Sequence, residues 1–114
     1  MDTREKIIGE AQARSLAAAG AIVVSGYFDP LLASHADRLA QLKQSGAPLL
    51  VVIASPANPI LPAPARAELV AGLRAADHVT EANIQPRICL EQEDAEGFEQ
   101  LLRHVQARQR AAAS

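Results

Sequence analysis

Two short stretches of this chain, Ala21-Ile22-Val23-Val24 and Leu49-Leu50-Val51-Val52-Ile53, are apolar at every position. A strand with one wet face alternates polar and apolar residues. An unbroken β-branched run reads instead as a strand covered on both faces. Amphipathic segments surround these runs. Thr3 to Ala19 reads as a helix, with Ile7, Ile8, Ala11, Ser15, Ala18 and Ala19 near one face, Thr3 as its cap and Gly20 as its stop. A second helix is predicted from about Leu31 to Ser45, with Leu32, His35 or Ala36, Leu39 and Leu42 inward, ended by Gly46. Pro56, Pro59, Pro62 and Pro64 make Ser55 to Ala65 a stiff loop. A third helix is expected over Ala65 to Ala75, with Leu69, Leu73 and Ala76 inward. Short strands at Asp77 to Thr80 and Arg87 to Leu90 follow. A last helix begins at Asp94 and carries Phe98, Leu101, Leu102 and Val105, and residues 107–114 read as a fraying tail.

Helix and strand thus alternate along the chain. The expected architecture is a three-layer α/β/α Rossmann-like sandwich with a mostly parallel sheet, formed as a single domain over residues 1–114. Right-handed crossovers would put ligand sites at the carboxyl ends of the strands, in the loops Ser25 to Pro30 and Ala54 to Ala65.

Composition narrows the function. The chain has 114 residues, a formal net charge of −2 and 3 % aromatics, namely Tyr27, Phe28 and Phe98. So few rings and so little positive charge argue against a nucleic-acid partner. No apolar run reaches membrane-spanning length, and the N-terminus does not read as a signal peptide. Cys89 is the single cysteine and reads as a buried thiol, so a cytoplasmic location without a membrane partner is expected. His78 and His104 have no metal-ligand spacing with Cys89 or a carboxylate and read as surface residues. Glu91, Glu93, Asp94 and Glu96 read as acidic residues favoured at a helix start, and no metal site is predicted. Ser25, Ser34 and His35 lack the elbow of a nucleophilic serine.

In the first loop, Gly26 permits close backbone approach. Asp29 and Pro30 lead into a helix start where free N–H groups favour an anion, with His35 about one turn inside. The segment Gly26-Tyr27-Phe28-Asp29-Pro30-Leu31-Leu32-Ala33-Ser34-His35 resembles the G-x-F-D-x-L-H-x-G-H opening of the cytidylyltransferase-like nucleotidylyltransferases. A second segment, Asn58 to Val79 with Arg66-Ala67-Glu68, is similar to the R-P…R-A-E segment of the subgroup containing glycerol-3-phosphate cytidylyltransferase and the heptose-phosphate adenylyltransferase domain. The resemblance spans roughly Thr3 to Val105.

It implies a nucleotide- or phosphate-binding site at Gly26, Tyr27, Phe28, Asp29, Ser34, His35 and Arg66. His35 would be the catalytic residue, and Mg²⁺ would be needed if an NTP binds. The departures are specific. Leu32 stands where the first motif histidine belongs, Ser34 replaces the motif glycine, and Pro56 replaces the acidic residue after the second strand. Asn58 replaces the arginine of R-P. The basic loop before it and the late I-S-T-T-type segment have no counterpart, so the fold is expected to be C-terminally truncated. The resulting expectation is a degenerate domain that binds a nucleotide or phosphorylated small molecule with little or no transferase activity. The alternatives are an active nucleotidylyltransferase and a non-enzymatic STAS-like module, which would have a mixed sheet with helices on one face. An uncovered sheet edge or apolar helix face would favour a homodimer.

Overall fold

The computed structural model describes residues 3–96 and residue 103. Four strands form one sheet: β1 (Ile22–Gly26), β2 (Leu49–Ile53), β3 (His78–Thr80) and β4 (Ile88–Cys89). Their order is β3-β2-β1-β4, and every pairing is parallel. The helices are α1 (Glu10–Ala18), α2 (Ala33–Lys43) and α3 (Ala63–Ala71). A further helical segment covers residues 90–96.

The continuous apolar runs do cover two faces. Val24, Leu49, Val51, Ile53 and Val79 pack with Leu39 of α2 and with Ala67, Val70 and Ala71 of α3. Val23, Leu50 and Val52 pack on the other face with Ala13 of α1 and with Ile84. The domain is therefore a small Rossmann-like α/β fold with a parallel sheet between helical layers. Among the described residues, no helix is long and apolar enough to cross a membrane.

Several boundaries and faces differ from expectation. The first helix does not start at Thr3. Residues Thr3–Lys6 form one 3-10 turn, and the α-helix begins after Gly9. Ile7 and Ile8 are extended: Ile7 bridges Val79, and the Ile8 N–H donates to the Val79 carbonyl at 2.8 Å. These β-branched residues extend the parallel ladder beyond β3 rather than joining a helix face. The inward residue of α1 is Ala13, while Ala11, Ser15, Ala18 and Ala19 are exposed. Gly20 does end that stretch, in the left-handed region at φ 103°.

On α2, His35 and Leu39 are buried, but Leu32 is exposed. The α3 helix starts at Ala63 because Pro64 falls in its first turn, where a missing N–H costs nothing. Its inward residues are Arg66, Ala67, Val70 and Ala71, whereas Leu69 faces solvent. The last helical segment begins at Leu90, four residues before Asp94. The expected helical face of Phe98, Leu101, Leu102 and Val105, His104 and the 107–114 tail lie outside the described residues.

Candidate functional site at the carboxyl ends of β1 and β4

The chain passes from β1 to β2 on one side, continues to β3, then returns to place β4 on the other side of β1. The carboxyl ends of β1 and β4 therefore flank a topological switch point, where the connections diverge and leave a crevice. Two clefts open there. The first, of about 330 Å³, is lined by Ser25, Ser55, Glu81, Asn83, Pro86 and Glu91 among others. The second, of about 230 Å³, is lined by Tyr27, Asp29, Leu32, His35, Pro56 and Asp94 among others.

The loop after β1 is built on a tight packing contact. A Cβ placed on Gly26 would come within 2.6 Å of the Phe28 ring. Glycine is thus required for close approach of a side chain rather than for its own backbone angles. Phe28 is 1 % exposed and has φ 50°, a left-handed conformation that a bulky residue adopts only when its surroundings enforce it. Its ring meets His35 edge-on, with centroids 5.4 Å apart.

Asp29 then clamps the proline-rich loop. Its carboxylate accepts the Ile60 and Leu61 N–H groups, each at 2.7 Å. The Ile60 bond is the largest influence holding the Asp29 carboxyl below its ordinary pKa; the Leu61 bond and the Arg66 charge add to it, against a partial opposing effect of burial.

Arg66 lies beneath both loops and is 1 % exposed. Its guanidinium donates to the carbonyls of Leu61 at 3.1 Å, Tyr27 at 2.9 Å and Ala54 at 2.7 Å. The resemblance gave this arginine to a phosphorylated ligand. In the structure it satisfies loop carbonyls that burial would otherwise strand, and it lines neither cleft. Ser34 is exposed on the first turn of α2 and also lines neither cleft. Tyr27 contributes a half-exposed side chain to the second cleft.

His35 is held at both ring nitrogens. Leu32 has no polar side chain with which to cap α2. His35 Nδ1 reaches back instead and accepts the Leu32 N–H at 3.1 Å, as the third residue of a capping box does. That bond leaves the ring proton on Nε2, which lies 2.7 Å from Asp94 Oδ2 and donates to it. The lone pair a general base would use is occupied, and the N–H a phosphate would receive is directed at a carboxylate.

Two neighbouring pairs join the 90–96 segment to the same wall. Ser25 Oγ donates to both carboxylate oxygens of Glu91, at 2.8 and 3.0 Å. Arg38 holds Glu93 through two bonds, at 3.1 and 3.2 Å, and this pairing raises the Arg38 pKa. From their spacing, Glu91, Glu93 and Asp94 read as residues suited to a helix start. Their partners lie 55 to 66 positions away, and only the acidic spacing just after β4 hinted at them.

Neither cleft has a Lys or Arg among its described lining residues, and the charged groups facing the first are Glu81 and Glu91. Among the described residues, no group of three or more His, Cys, Asp or Glu side chains is placed to hold a metal ion. No family model matches this chain, and no curated protein matches it significantly.

Proposed function

We propose that this chain is a degenerate nucleotidylyltransferase-like domain that binds a nucleotide or a phosphorylated small molecule and carries out little or no nucleotidyl transfer. The observation that carries the reading is the pair of clefts at the β1/β4 switch point, with carboxylates and a doubly bonded histidine where a transferase needs cations. The clefts stand where parallel α/β sheets place small ligands, and His35 opens one of them. Their electrostatics disfavour a triphosphate. Phosphoryl transfer proceeds mainly by positioning and by cationic stabilisation of the charge on the transferring group. Loss of one preorganised donor typically lowers turnover by about 10²–10³. Here Leu32 replaces one motif histidine, His35 is engaged, and Arg66 is enclosed among carbonyls. Mg²⁺ enters this reading only as the counter-ion of an NTP. The all-parallel sheet with helices on both faces weighs against the STAS-like alternative.

The test is calorimetry with CMP, CTP, ATP and sugar phosphates, with and without Mg²⁺, alongside a pyrophosphate-release assay. Binding of a monophosphate in the millimolar range or tighter, with no pyrophosphate from any NTP, is the expected outcome. No binding by any of these compounds at millimolar concentration would contradict ligand binding. Pyrophosphate release abolished by His35→Ala would establish the active alternative instead.

A further inference from the structure

Three donors on the β1/α2 wall, the Ser25 hydroxyl, the His35 Nε2–H and the Arg38 guanidinium, each meet a carboxylate from one stretch of seven residues, the 90–96 segment. Asp94 differs from the other two in where it sits. Both Asp94 and His35 line the second cleft, while Glu91 lines the first and Glu93 lines neither. The His35 side chain is 8 % exposed and that of Asp94 is 53 % exposed, so the pair joins a nearly buried ring to a half-solvated carboxylate. Among the described residues the Asp94 carboxylate bonds to His35 and to no backbone group, and it lies inside its helical segment rather than at its start.

From this arrangement we infer that Asp94 is a built-in competitor for the anionic ligand: its carboxylate occupies the His35 N–H that a phosphate would otherwise receive, so the domain is self-blocked until the ligand displaces it. The inference rests on the function proposed above, since it presumes a phosphorylated ligand at this cleft. The physical balance favours exchange. A half-solvated carboxylate recovers its hydration when it swings away, so its departure costs little. The donor it leaves is nearly buried, and a charge-assisted bond from an arriving phosphate would satisfy it. The Ser25–Glu91 and Arg38–Glu93 pairs keep the segment docked while the Asp94 side chain alone moves.

The experiment titrates CMP, and separately inorganic phosphate, into the wild-type chain, Asp94→Asn and Glu96→Gln by calorimetry at fixed pH and salt. Asp94→Asn keeps the shape and a neutral acceptor but removes the competing charge. Glu96 is exposed and lines neither cleft, so Glu96→Gln removes the same charge from the same segment without touching His35. Asp94→Asn should bind about tenfold more tightly than wild type, the scale of one partly solvated charge-assisted bond, and Glu96→Gln less than about twofold. Equal gains in both variants would make the effect a general change of charge and overturn the inference. Wild-type binding with no gain in Asp94→Asn would overturn it while leaving the proposed function standing. No binding by any variant at millimolar ligand would overturn both.

Discussion

The two sides of the β1 carboxyl end are held by different kinds of contact. On the β2 side, Gly26, Phe28, Asp29 and Arg66 lock the two loops through close packing of the Phe28 ring over Gly26, backbone hydrogen bonds to the partly exposed Asp29 carboxylate and a guanidinium buried under carbonyls. On the β4 side, Ser25, His35 and Arg38 meet carboxylates that stay in reach of water. Burial decides the consequence. The buried Arg66 contacts are costly to break because each freed carbonyl lacks a replacement partner, whereas the half-exposed Asp94 carboxylate can exchange its partner for solvent. Gly26, Phe28, Asp29 and Arg66 thus hold the two loops together as a frame, while Tyr27, Asp29 and His35 also line the second cleft. The half-exposed contacts lie across the strand, where His35 and Arg38 meet carboxylates that no motif marks.

Substitutions on the two sides should separate accordingly. Arg66→Met fills similar volume but strands the carbonyls of Tyr27, Ala54 and Leu61. It should cost about 3 kcal/mol or more, read as a lowered midpoint of urea unfolding with unchanged slope. An unchanged midpoint would remove Arg66 from the frame. Gly26→Ala drives a methyl into the Phe28 ring and should cost about 1–3 kcal/mol by the same measurement.

Asp29 shows the frame through acid. Its native carboxyl titrates below the ordinary value of 3.8, so its contribution is fully present above that pH and is lost as pH falls through the depressed native value. Asp77 acts in the same direction: burial would raise its carboxyl, but Lys43 and the Leu49 N–H more than offset that. Asp29→Asn should be less stable than wild type at pH 6, with the gap narrowing as pH falls below about 4. A constant gap across that range would contradict the clamp. On the β4 side, Asp94→Asn should shift stability by less than about 1 kcal/mol, because its partner keeps an acceptor and the site is half solvated.

The same contrast explains what the sequence disclosed. The β2 limits, Leu49–Ile53, and the parallel two-faced sheet were legible because continuous apolar runs admit few other arrangements. The α1 face was not, because its alanines carry almost no facing signal; Ala13 is buried and Ala11 is exposed. Ile7 and Ile8 fitted a helical stripe, yet they gain more as an extended segment beside β3. Arg66 broke the usual rule that a charged helix residue faces water. Its compensation comes from carbonyls on two distant loops, and no local pattern reports such partners. His35 was found from the motif, but its engagement by Asp94, 59 positions later, depends on how the β3-to-β4 connection lays the 90–96 segment against α2.

The most direct test of the central claim is a titration of CMP followed by backbone amide NMR of the isotope-labelled chain. Saturable shifts should be confined to the loops and segment that line the two clefts, Ser25 through Ala36, Val52 through Ser55, Glu81 through Ile84 and residues 90–96, with the α1 amides unmoved. Saturable shifts centred elsewhere, or none at millimolar CMP, would contradict a ligand site at the β1/β4 switch point.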